Sequence, residues 1–260
     1  MKNSKLSTTN IKVAVVSFLA ATLMFGGMSA ISAYFTDTDT ATNTFTVGNV
    51  DAELLEPNYP GNNDSAVKDQ VGNQETAKDP LVHNTGVNDA VVFIKVTVPV
   101  ANVTEVSNTG TKGTKQNQEL YYFKKATDAV TTHANNFYTG SATAKGWIEL
   151  TGKETGTDYT GTTRTYVFGY NEVIQGSSTN DGSAQTVNTN DRTLPLFDKV
   201  QMKNILEAEV AAGTSENVVI NAYVIQADNI LNTSGVIPTS GYITAANLAS
   251  IYDIYVAQNS

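Results

Sequence analysis

The chain has 260 residues, 40% hydrophobic and 16% charged, with a formal net charge of −9. That is long enough for one large β domain or two small ones with a real core, and acidic enough to repel nucleic acid and anionic lipid surfaces. There is no cysteine, which excludes disulfides, thiol catalysis and thiolate metal sites.

The first 33 residues read as a secretory signal peptide. Lys2, Lys5 and Lys12 form a positive n-region, Val13 to Phe25 is an apolar run, Gly26 and Gly27 break it, and small residues follow up to Ala33. The run is shorter than the roughly 20 residues of a membrane span, so cleavage is expected in preference to an uncleaved anchor. The expected cut lies between Ala33 and Tyr34, with Ala30 and Ser32 as alternative sites. Residues 34–46 then form an N-terminal arm, polar and rich in threonine. Its apolar groups are Tyr34, Phe35, Ala41 and Phe45. Residues 47–260 are expected to be the globular part. Phe45, Val47, Val50, Ala52 and Leu54 recur at a spacing near two, with one slip at Gly48 and Asn49, which predicts a strand with a bulge.

Glu56 to Gln74 reads as a loop, Asp79-Pro80 as the start of the next ordered unit, and Asn84-Thr85-Gly86 as a turn. Ala90 to Val98 is the strongest strand, β-branched and apolar in both phases at its start, and Pro99 is expected to end it. Asn102 to Gln118 is polar, a long loop or hairpin. Leu120 to Phe123, Gly146 to Leu150 and Thr163 to Tyr170 are further strands. Gly176 to Asp191 reads as an exposed loop. Pro195 makes Leu194 to Met202 an edge strand or a strand start. Asn204 to Ala211 fits a helix or a strand. Val218 to Ala227 is apolar in both phases, which predicts a central strand. Thr244 can cap a short helix containing Ala245, Leu248, Ala249 and Tyr252. Short strands, turn-rich loops and one or two short helices indicate an all-β fold, an antiparallel β-sandwich.

Four stretches carry a resemblance: GGMSAISAYFTDTDTATNTFTVGNVDAEL at the N-terminus, KDPLVHNTGVNDAVVFIKVTVP at 78–99, INAYVIQAD at 220–228, and a weaker one from Trp147 through Tyr166–Tyr170 to LPLFDKV at 194–200. In this order they resemble the TasA and camelysin (CalY) family, exported proteins processed by a signal peptidase of the SipW type. The resemblance implies a jelly-roll-like sandwich, secretion to the extracellular matrix or cell surface, and a role in biofilm-matrix fibres. Residues 102–144 match nothing in that family.

Catalytic chemistry finds little support. His83 and His133 sit in no His-Glu-x-x-His motif, and a zinc peptidase needs two or three closely placed ligands and a base. No Gly-x-Ser-x-Gly is present. Asp37, Asp39, Asp51 and Glu53 look like an acidic cluster but lack the spacing of a calcium loop, and Asp37 and Asp39, alternating with threonines in the arm, read as a solvated strand face. Trp147 with Tyr166, Phe168 and Tyr170 has the composition of a sugar platform, but aromatics at period two more often pair in a core. The expectation is therefore a chain that is not an enzyme and holds no cofactor or metal. Its partner would be itself, as a head-to-tail homopolymer in which the arm adds as a strand to the next subunit. An accessory matrix protein is a further candidate partner, and neither nucleic acid nor membrane is expected after cleavage. The alternatives are a camelysin-like secreted metallopeptidase and a monomeric surface-binding module.

Overall fold

The computed structural model describes residues 50–60, 72–156, 159, 161–176, 190–206, 209–210, 218–227 and 241–259. All lie in the second of two compact units, 48–260. The signal segment, the arm and the proposed bulge at Gly48 fall outside the described residues.

Among the described residues ten strands and one helix follow in order. They are β1 (Ala52–Leu55), β2 (Glu75–Ala77), β3 (Leu81–Asn84), β4 (Ala90–Val103), β5 (Gln116–Glu119), β6 (Tyr121–Lys124), β7 (Trp147–Glu149), β8 (Thr163–Tyr170), β9 (Lys199–Met202), β10 (Val219–Gln226) and α1 (Ala245–Gln258). Every named strand pairing is antiparallel. The largest sheet runs β10-β4-β8-β7, with β5 attached to the far end of β4. A second sheet runs β2-β9-β6, and β1 pairs with β3. The fold is thus mostly antiparallel β with a single helix among the described residues.

β4 organises the molecule because its side chains are apolar in both phases. Val91, Val92, Phe93 and Ile94 are all fully buried. In a strand alternate residues face opposite sides, and the two sides feed two clusters. Val92, Ile94, Val96 and Val98 join Tyr166, Phe168, Tyr170 and Trp147 from β8 and β7, and meet Tyr121, Phe123 and Val200 of the second sheet. Val91 and Phe93 face the other way, onto Leu248, Ile251 and Tyr252 of α1. Gly169 of β8 permits that approach: a Cβ there would meet Leu248 and Phe93 carbons at 3.2 Å. The helix starts where Thr244 accepts a hydrogen bond from Asn247 N at 3.2 Å, the capping expected from sequence.

Several boundaries differ from expectation. The next ordered unit begins at β2, before Asp79-Pro80, because Glu75–Ala77 already pairs with β9. β4 passes through Pro99 to Val103. The missing proline N–H costs no ladder bond there: Leu120 N donates to Pro99 O at 2.9 Å, and Leu120 O, which a residue at 99 would otherwise donate to, accepts from Lys203 N at 2.8 Å. Residues 102–118 form a hairpin with β5 as its return strand. The strand expected from Leu194 begins only at Lys199, and it is the middle strand of its sheet, with Pro195 left outside it. Of the stretch 204–211, Ile205 forms an antiparallel bridge with Glu105, while residues 207, 208 and 211 lie outside the described residues. β10, expected to be central, is instead one end of the largest sheet among the described residues.

Candidate functional site

The sequence places assembly in Tyr34, Phe35, Ala41 and Phe45, and processing at Ala33 and Tyr34. All lie outside the described residues, so what can be built is the surface such an arm would meet. β10 pairs with β4 in the register Ile220↔Val96, Ala222↔Ile94 and Val224↔Val92. Cross-strand partners share a face, so Val218, Ile220, Ala222 and Val224 continue the buried face of β4. Yet all four are only half-buried, whereas their β4 partners are fully buried. At the end of the sheet the apolar layer is thus covered incompletely by the described residues. On the opposite face Val219 is 46% exposed, and Tyr223 rests against Tyr255 of α1, ring centroids 5.4 Å apart, with Lys95 over its ring.

β1 follows the arm directly and is fastened locally. Thr85 N and Gly86 N both donate to Asp51 O, at 3.0 and 3.2 Å, and Gly86 N also donates to Asn84 Oδ1, the turn read from Asn84-Thr85-Gly86. His83 lies opposite Glu53 in the β1–β3 register. Its Nε2 lies 3.1 Å from Asp191 Oδ2 and its Nδ1 3.9 Å from Glu53 Oε2.

The other sequence candidates fall apart in space. His133 stacks on Tyr122 and sits 3.7 Å from Glu105, away from the His83 pairings. Among the described residues no three His, Asp or Glu side chains come together as a metal site. Asp37 and Asp39 are outside the described residues, so the acidic cluster is represented by Asp51 and Glu53 alone. Trp147, Phe168 and Tyr170 are fully buried and Tyr166 is 5% exposed, so the aromatic stripe is core and offers no sugar platform. Burial pushes the Tyr170 phenol up to about 12, and burial with a hydrogen bond to Glu119 raises Tyr166 further.

Two polar clusters had no signal in the sequence. On the outer face of the second sheet, Lys124 and Gln201 are both fully buried. Lys124 Nζ donates to Glu75 Oε1 at 3.0 Å, Gln201 Oε1 at 2.8 Å and Ala129 O at 2.6 Å. Lys199 Nζ holds Glu75 Oε2 at 2.7 Å. Burial works against the Glu75 carboxylate, but hydrogen bonds and attraction from Lys199 and Lys124 outweigh it and hold it below the usual range. At the far end of the same sheet Lys203 lies over the Tyr122 ring at 4.4 Å and 4.0 Å from Glu105, and burial pulls its pKa down.

No helix among the described residues is long and apolar enough to cross a membrane. No family model, no curated protein and no solved structure matches the chain.

Proposed function

We propose that the chain is a secreted structural protein, similar to TasA, that assembles head-to-tail into extracellular fibres by donor-strand complementation. In this reading the domain is a jelly-roll-like sandwich and residues 34–46 of one subunit pair, in the next, with the side of β10 on which no described strand pairs. The observation that carries it is the half-buried row Val218, Ile220, Ala222 and Val224 on the end strand of the largest sheet. An added strand there would complete both the hydrogen-bond ladder and the apolar layer. Signal-peptide removal would free the arm, which makes processing by a SipW-type peptidase the step that licenses assembly. The contact is non-closing and propagates as a filament.

The reading needs no catalysis: His83 and His133 each have a local carboxylate neighbour and no shared one. Electron microscopy of the purified secreted protein, with metal analysis and a casein digest, tests it. Fibres without zinc or proteolysis are expected. Monodisperse particles under all conditions, or bound zinc with caseinolysis abolished by changing His83 and His133 to Ala, would overturn it in favour of a surface-binding module or a peptidase.

A further inference from the structure

The geometry points to a covalent modification site in the second sheet: an amide cross-link between Lys124 of β6 and Gln201 of β9, formed by the protein itself. Three chemical roles meet in one buried place. Lys124 Nζ is the nucleophile, fully buried and 2.8 Å from Gln201 Oε1. Gln201 is the electrophile, and its amide is held in one orientation because Nε2 donates to Val130 O at 2.9 Å and Asn73 O at 3.2 Å. Glu75, 3.0 Å from Nζ, is the proton carrier, itself fixed by Lys199 at 2.7 Å. A carboxylate in hydrogen-bond contact with the attacking amine can serve as its proton acceptor.

The step balances without a co-reactant. The Lys124 ammonium gives one proton to the Glu75 carboxylate, and the freed amine lone pair attacks Gln201 Cδ. The Nζ–Cδ bond forms, the Cδ–Nε2 bond breaks, and Glu75 returns its proton to the departing nitrogen. A second Nζ proton also leaves with it, so the products are a secondary amide and ammonium. A primary amide is a poor electrophile, so the reaction depends on proximity. Effective molarities of about 10⁵–10⁸ M are available to a fixed pair, and exclusion of water from Lys124 and Gln201 suppresses competing hydrolysis.

A second lysine–glutamine pair provides the internal comparison. Lys203 Nζ reaches Gln118 Oε1 at only 3.4 Å, and its nearest carboxylate, Glu105, is 4.0 Å away. That pair lacks a carboxylate in hydrogen-bond contact with the amine and is expected to stay uncrosslinked. The inference is independent of fibre assembly.

Intact-mass measurement of the full purified chain, followed by proteolysis and fragment sequencing, tests it. The expected result is the loss of one ammonia, about 17 Da, located in a cross-linked peptide containing Lys124 and Gln201. Lys124→Arg keeps a cation and donors but cannot form the bond, so it should show the full mass. Glu75→Gln, with both reacting groups intact, should also remain at full mass or convert far more slowly. The wild-type measurement stands even if a variant fails to fold. Wild-type protein that keeps its full mass after prolonged incubation, or an ammonia loss mapped elsewhere, overturns the assignment and leaves a non-covalent hydrogen-bond hub.

Discussion

Phe168 sits among Phe123, Phe137 and Tyr166, with ring centroids 4.9 to 6.3 Å away, and is fully buried. Phe168→Ala should therefore cost about 3–5 kcal/mol, read as a shift in the urea midpoint followed by fluorescence of the single tryptophan, Trp147. Two phenols whose ionisation the fold opposes give the protein a pH limit. Tyr138 is pushed up to about 12 by its hydrogen bond to Asp198 first and burial second, and Tyr170 to about 12 by burial. A raised folded-state value means that the stabilisation is fully present below the ordinary value of 10.0 and is lost as pH rises toward 12. Absorbance titration should show a class of phenols that ionises only with unfolding in that window, and Tyr138→Phe should remove part of the steepness. At this scale period-two aromatics in Tyr166, Phe168 and Tyr170 were enough to read core. Lys124 was invisible, because a lysine at the end of an apolar strand looks like a solvated terminus until the loop 125–132 folds over it.

The elements themselves were legible where one pattern ran long enough. β8 matches its expected span, and Thr244 before Ala245, Leu248 and Tyr252 announced α1. Thr244→Ala should destabilise the protein by about 1 kcal/mol, seen in thermal melts, because α1 covers Val91 and Phe93. Pro99 misled because a proline ends a ladder only when its N–H is required, and here Lys203 N already occupies the Leu120 carbonyl that faces it while β5 pairs from Val100 onward. β10 misled for a different reason. Apolar residues in both phases signal contact on both faces, and they say nothing about whether hydrogen-bond partners lie on both edges. Its two faces meet the main core and α1, yet its outer edge ends the sheet among the described residues. A charge at the exposed position 219 should act as a gatekeeper on that edge. Val219→Lys is expected to change stability by no more than about 0.5 kcal/mol while slowing fibre growth in light scattering. Unchanged growth would show that β10 is not the acceptor.

For the whole molecule, the proposed division is a self-sufficient β domain and an arm that has no place until a neighbour supplies one. The energetics favour side chains as the deciding term. Ordering the arm costs about 1–2 kcal/mol per residue, and each ladder hydrogen bond returns only about 0.5–1.5 kcal/mol. Tyr34 and Phe35 contribute about 1.5–3 kcal/mol each if buried, so Phe35→Asp should weaken assembly strongly. Among the described residues the domain's core rests on β4, β8 and the second sheet. The most direct measurement is to delete Tyr34 to Thr40 from the mature protein and compare thermal melts and electron micrographs with the intact form. A folded monomer with the same melting transition and no filaments is the predicted result; filaments of normal length, or an unfolded chain, would contradict it.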